Sequence, residues 1–220
     1  MQTPTGKREQ NKLANRAAIL DSARRLFAEQ GYDAVTIRDV IRATPLASGT
    51  FYNYFPDKES LLRSLVEKRL GELTERLSQV RRTAENMEQF LHGAYLTTFE
   101  EMCAHPDFFR MMFRNEPVIR AFYTENVFGH TMRTLKIDLA DAIARGLLAD
   151  VNVDYLTAIF FGTGYEVSRM LVDRKNPDPK EAAAFAARLF MGGLAGLQPE
   201  PANGSNLIRR GPLLLKGAAR

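Results

Sequence analysis

A single cysteine, Cys103, stands in 220 residues, so no internal disulfide can staple the chain, and packing alone must hold it. That usage fits a reducing compartment. No basic residue adjoins Cys103 to draw down its thiol pKa, which makes it a core thiol rather than a redox sensor. Long apolar runs are also missing: none approaches the ~20 residues a bilayer crossing needs, and the N-terminus is polar and basic rather than a signal peptide. A cytoplasmic protein with no membrane partner is expected. The three histidines, His92, His105 and His130, are scattered, with neither the HExxH nor the Cys/His spacing of a zinc site. There is no G-x-S-x-G elbow, Walker loop or dinucleotide fingerprint, and the adjacent Glu100 and Glu101 diverge on a helix. No metal, no cofactor and no enzymatic activity are expected. Strand-like alternation and internal repeats are absent too.

What is present is enough apolar material, 45% of residues, for one or two buried cores. Charge is unevenly placed. Residues 1–82 carry 15 Lys and Arg against 10 Asp and Glu, a net +5; residues 83–198 carry 11 against 15, a net −4; residues 199–220 carry 4 against 1, a net +3. Phosphate neutralisation supplies much of the affinity for DNA, so a basic N-terminal part suits a nucleic-acid-binding end.

That end contains TIRDVIRATPLASGTFYNYF, residues 36–55. Ile37, Val40 and Ile41 make one apolar stripe on a helix that Thr36 can cap and that ends near Ala43. Pro45 forces a turn, after which a second helix restarts near Leu46. In it Leu46, Phe51 and Phe55 face inward, leaving Ser48, Gly49, Thr50, Tyr52 and Asn53 for solvent or a partner. A small polar helix held at an angle by a short turn is the geometry that enters a major groove. Before it, a helix from Gln10 to Gln30 carries Ile19, Leu20, Ala23, Leu26 and Phe27 and stops at Gly31; Lys7, Arg8, Lys12 and Arg16 lie close enough to touch phosphates.

The spacing T-I-x-x-V…G-T-x-Y-x-Y-F-x-x-K-E-x-L, carried by Thr36, Ile37, Val40, Gly49, Thr50, Tyr52, Tyr54, Phe55, Lys58, Glu59 and Leu61, resembles the helix-turn-helix signature of the tetracycline-repressor (TetR) family of bacterial regulators. The chain departs from the family pattern at Ile41, Pro45 and Ala47, where Ala, Gly and Ser are usual. The resemblance implies an all-α protein: an N-terminal three-helix DNA-binding domain over residues 1–56, and a helical effector-binding and dimerisation domain over 57–198. Residues 199–220 are expected to form a flexible tail. It also implies a DNA surface of Thr36, Arg38, Ser48, Gly49, Thr50, Tyr52, Asn53, Tyr54 and Lys58. Tyr52, Tyr54 and Lys58 reach phosphates there, and Ser48, Thr50 and Asn53 read bases. Lys58 would otherwise oppose the dipole of the helix that Pro56 and Asp57 open, so an external anion explains it.

Beyond that helix, which runs to about Val80, helical patterns cover 85–104, a short DFFRMMFRN, a long helix from Pro117 to Arg145 bending near Gly129, a helix capped by Asn152 and reaching Val172, and a last one from Lys180 to Leu197. This half is rich in Met and aromatic residues, which fill irregular space and line adaptable pockets. Tyr95, Phe99, Met102, Phe109, Met112, Phe113, Phe122, Phe128, Met132, Phe161 and Tyr165 are the candidate walls of an effector cavity, with Arg114, Arg120, Glu166 and Arg169 available to orient a polar group. HPDFFRMMFRNEP resembles the corresponding part of fatty-acid-metabolism regulators of the same family, which implies a lipid-like or acyl effector. Small residues on the last two long helices (Ala158, Gly162, Gly164, Ala183, Ala184, Ala187, Gly192, Gly193 and Gly196), with Phe160, Phe185 and Phe190, allow close helix approach; in the family the corresponding pair forms the homodimer interface. The expected function is thus a homodimeric repressor released from double-stranded operator DNA by a small, largely apolar molecule. The alternatives are a DNA-binding architectural factor of the same fold without an effector, and a helical lipid-binding protein.

Overall fold

The computed structural model describes residues 6–122 and 128–195, apart from the side chains of Ser48, Phe122, Phe128 and Ala195. Among them every regular element is helical. Helix α1 (Lys7–Gln30) stops because Gly31 adopts φ +88°, a left-handed conformation that glycine reaches without strain, and returns its N–H to Phe27 O. A capping box starts α2 (Ile37–Arg42): the Thr36 hydroxyl accepts from Asp39 N, and Asp39 Oδ2 accepts from Thr36 N. Ser22 Oγ donates to Val40 O at 2.8 Å and pins α2 to α1.

The second helix of the motif differs from expectation. Residues Ser48–Asn53 form a 3-10 segment rather than an α-helix. Its Ala47 offers no side-chain cap, and so short a segment closes with tighter i→i+3 bonds, Thr50 N to Ala47 O at 2.8 Å and Tyr54 N to Phe51 O at 2.9 Å. Phe51 and Phe55 anchor it inward as expected; both are buried, with ring centroids 5.8 Å apart.

Asp57 caps α3 (Lys58–Thr83) through Ser60 N, and Asn86 caps α4 (Met87–Ala104) through Gln89 N. His105 and Pro106 then break the chain into α5 (Pro106–Arg114), which α6 (Glu116–Phe122) follows at once. The helix expected from Pro117 to Arg145 is described in two parts, α6 and α7 (Phe128–Ala144), with residues 123–127 outside the described residues and Gly129 in the first turn of α7. Asn152 caps α8 (Val153–Asp173) by accepting from Asp154 N and Tyr155 N. Asp178 does the same for Lys180 N and Glu181 N at the start of α9 (Pro179–Ala195). The end expected at Leu197 and the tail from 199 to 220 lie outside the described residues.

One apolar core runs from the N-terminal head (Ile19, Phe27, Val40, Phe51, Phe55, Leu61) into the larger helical body (Phe90, Tyr95, Phe99, Phe160, Phe190). Helix α3 joins the two and α5 packs against α1. Gly93 lets α4 close on α3, since a Cβ there would meet Val80 Cγ1 at 2.7 Å.

Candidate functional site

The head presents the outer surface of α2 and the 3-10 segment. Tyr52 is 63% exposed, Arg38, Gly49 and Asn53 are exposed, and Thr50 and Tyr54 are half-buried. The Ser48 side chain lies outside the described residues. Thr36 is exposed, but its hydroxyl is engaged with Asp39. That hydroxyl and the Thr36 N–H hold the Asp39 carboxyl below the usual carboxylate range.

Lys58 has partners that spacing alone did not reveal. Its Nζ donates to Tyr32 O at 2.9 Å and Val35 O at 3.0 Å, and stands 4.1 Å from the centre of the Tyr32 ring. The two carbonyls and the ring face supply the negative charge that the helix dipole denies it. They account for a cation in the first turn of α3 without an external anion, and leave one of its three N–H donors over. Burial, then the carboxylates of Glu59, Asp57 and Asp33, push the Tyr32 hydroxyl up to about 12, so the ring stays neutral beneath the ammonium.

Behind the head, the body holds a partly open cavity of about 90 Å³. Six of the expected wall residues line it: Tyr95 and Met102 from α4, Met112 and Phe113 from α5, Phe161 and Tyr165 from α8. Phe99 and Phe109 do not; they are fully buried in solid core, Phe99 stacked 5.6 Å from Tyr95 and Phe109 edge-on to Phe108 at 5.0 Å. Met132 is half-buried on α7 away from the lining, and the side chains of Phe122 and Phe128 lie outside the described residues.

A whole wall escaped the composition argument. Helix α3 contributes Leu70, Leu73, Thr74, Leu77 and Arg81, a stripe at helical spacing, and α7 contributes Thr131 and Leu135. The detectable signal was the pair of polar residues, Thr74 and Arg81, set within the leucine stripe of α3.

Polar groups around the cavity are mostly satisfied. Thr74 Oγ1 and Thr131 Oγ1 lie 3.0 Å apart, and Tyr95 O–H donates to Phe160 O at 3.2 Å. Tyr165 O–H donates to Glu116 Oε2, and Arg120 Nε reaches Glu116 Oε1 at 2.7 Å. Burial raises the Glu116 pKa, but those two donors outweigh it and hold the carboxyl below its ordinary value. Of the other charged candidates, Glu166 and Arg169 are exposed and 4.0 Å apart, with Arg169 also 6.0 Å from the Phe113 ring centre; Arg114 is exposed on α5.

Next to Glu116, Asn115 ties the cavity side to the head. It is 3% exposed; its Oδ1 accepts from Tyr32 N at 2.5 Å, and its Nδ2 donates to Phe27 O at 3.0 Å and Met111 O at 2.7 Å.

The outer faces of α8 and α9 expose Tyr155, Ile159, Phe185 and Leu189, each at least 59% accessible. Gly162, Gly192 and Gly193 are open, with nothing within 4 Å of a built Cβ. Phe160 and Phe190, expected on that face, turn inward and pack 4.6 and 5.8 Å from Tyr95. Gly164 also faces inward, against Tyr95.

Residues 19–65 match the family model described as bacterial regulatory proteins, tetR family. Among curated relatives, the repressor KstR2 of Rhodococcus jostii is 29% identical over 104 residues, 47% of this chain and 51% of that one. The chain spans about a third to a half of the length of the curated relatives it matches. The fold is similar to that of the fatty acid degradation regulator FadR from Bacillus halodurans, with a TM-score of 0.72, 22% identity, and coverage of 87% of this chain and 98% of that chain. It is similar also to FadR from Bacillus subtilis in complex with stearoyl-CoA, with a TM-score of 0.71, 22% identity, and coverage of 80% and 98%. Residues 19–65 are thus similar to the helix-turn-helix head of bacterial regulatory proteins of the tetR family, and the all-helical body behind them shares its fold with the solved regulators.

Proposed function

We propose that this protein is a cytoplasmic homodimeric transcriptional repressor that binds operator DNA through residues 1–56 and is released when a small, largely apolar molecule occupies the cavity in residues 57–198. The observation that carries the reading is the connected path from cavity to head: Tyr165 to Glu116, the adjoining Asn115 to Tyr32 and Phe27, and Tyr32 O to Lys58. An effector releases DNA only if it favours a conformation in which the two heads no longer match successive major grooves, about 34 Å apart. Expanding the cavity at Tyr165 moves Glu116, and with it the Asn115 bonds to the backbone beside the end of α1.

The neighbours named for fatty acid degradation, stearoyl-CoA and ketosteroids support an apolar effector. At about 90 Å³ the cavity is well under the ~300 Å³ at which ligand pockets begin, so an effector must enlarge it to bind. Met102 and Met112 are the flexible side chains suited to that.

A second copy is the partner proposed for the exposed α8 and α9 faces, because contiguous apolar area beside open glycines suits helix packing across a two-fold axis. Footprinting of the DNA beside the protein's own gene tests the reading. A palindromic protected site is expected, and protection that ignores sequence would contradict it.

A further inference from the structure

We propose that the cavity takes its effector as a free monocarboxylic acid, head inward, with the carboxylate bound by Arg81; this rests on the reading of the cavity as an effector site. Arg81 is only 2% exposed and lines the cavity from the last turn of α3. Its Nε donates to Asp138 Oδ2 at 2.9 Å, yet its Nη2 is the one buried side-chain nitrogen or oxygen among the described residues with no hydrogen-bond partner. Buried donors are almost always paired, so an orphan on a buried guanidinium at a cavity wall marks a place for an acceptor.

Charge points to an anion. Asp138, itself 1% exposed, receives two guanidiniums, Arg81 Nε and Arg82 Nε, as well as Ser78 Oγ. Of the two cations on that carboxylate, Arg82 is 59% exposed and solvated, so the orphaned Nη2 of the buried Arg81 is the group an anion would meet inside the cavity. The guanidinium fork accepts a carboxylate at its second nitrogen without giving up Asp138. The rest of the wall near Arg81, Leu77 and Leu135, is apolar and suits a hydrocarbon body.

Position decides the orientation. Arg81 lies 23 residues along α3 from Lys58, about 35 Å at 1.5 Å per residue, so the polar end of the cavity is the end far from the DNA-binding head. A coenzyme A thioester carries its large polar portion at the carboxyl end and cannot bring that end to so buried a residue. A short or medium-chain acid can. With the carboxylate at Arg81, the chain extends toward Phe113 and Tyr165, where the path to the head begins.

The test is calorimetric titration of the full chain with hexanoate and octanoate, each against the alcohol of the same length, and of the Arg81→Gln variant. In the wild type each acid should bind at least tenfold tighter than its alcohol, and in R81Q the preference should fall below about twofold with alcohol binding retained. Equal affinity of acid and alcohol for the wild type overturns the proposal while leaving an apolar effector cavity standing. Absence of binding by all four compounds overturns the cavity reading and this proposal together. If R81Q does not fold, guanidinium NMR of 15N-arginine-labelled wild-type protein decides: octanoate and not octanol must shift one buried guanidinium resonance, and identical spectra overturn the proposal.

Discussion

The Asn115 side chain closes the end of the first helix from 83 residues away, accepting from Tyr32 N at 2.5 Å while donating to Phe27 O at 3.0 Å. The Tyr32 N–H is therefore satisfied by an amide whose position depends on the junction of α5 and α6, and Phe27 O, which already accepts from Gly31 N, gains a second donor. Asn115→Ala strands Tyr32 N–H in a buried place, and the protein is expected to lose about 3 kcal/mol of stability. Operator release by ligand should weaken along with it. Chemical denaturation checks the first part; a variant as stable as the wild type would contradict this role of Asn115.

Substitutions at Tyr52 and Lys58 should separate DNA contact from head integrity. Tyr52→Ala, at a 63% exposed position, should change stability by less than about 0.5 kcal/mol but weaken operator binding. Lys58→Ala removes charge-assisted bonds to Tyr32 O and Val35 O, and is expected to cost about 2 kcal/mol of stability. Because two of its donors are already engaged, the slope of log K against log salt should change by less than the ~0.9 of a full phosphate contact. Thermal melts and salt-dependent anisotropy of the two variants decide; a Lys58→Ala protein with unaltered melting would contradict the internal role.

What was legible in the sequence was local. Thr36, Asp57 and Asn152 announce helix starts because a cap acts within three residues, and Gly31 ends α1 because only its own φ matters. The inward set Val40, Ile41, Phe51 and Phe55 follows from helical spacing, and survives the change from α to 3-10 geometry. What was not legible depends on distant chain. The carbonyls that hold Lys58 come from 23 and 26 residues back, and Asp138, which makes Arg81 burial tolerable, comes 57 residues later. By spacing alone α3 passes for a connector, so its wall of the cavity went unassigned. Phe160 and Phe190 sit among small residues, but the Tyr95 ring draws them inward, and the exposed apolar face is left to Tyr155, Ile159, Phe185 and Leu189.

Gly162 and Gly193 have open space above their Cα atoms, so a large side chain there meets nothing in its own chain. Gly162→Trp should convert a dimer to a monomer with the melting temperature of the isolated fold largely kept, read by sedimentation and circular dichroism. A dimer that tolerates the tryptophan would place the interface elsewhere.

Acid should loosen the link from cavity to head. The Glu116 pKa is depressed in the folded protein, so its contribution to stability is fully present above the unfolded carboxylate value of ~4.3 and is lost as pH falls through the lower folded value. The same sign applies to Glu101, where burial raises the pKa but Arg76 and Arg69 bring it down by more. Glu116→Gln should therefore flatten the stability curve below about pH 4 and leave its shape at pH 6–8 unchanged. Denaturant midpoints measured across that range check it; identical acid limbs for variant and wild type would contradict it.

The most direct test of the account measures operator affinity and melting temperature together, by anisotropy and thermal shift on the same sample, with and without saturating octanoate. Occupancy of the cavity should raise the melting temperature and weaken operator binding at least tenfold, a coupling of about 1.4 kcal/mol. A melting temperature that rises while operator affinity stays the same would show a filled cavity that does not speak to the head, and would contradict the account.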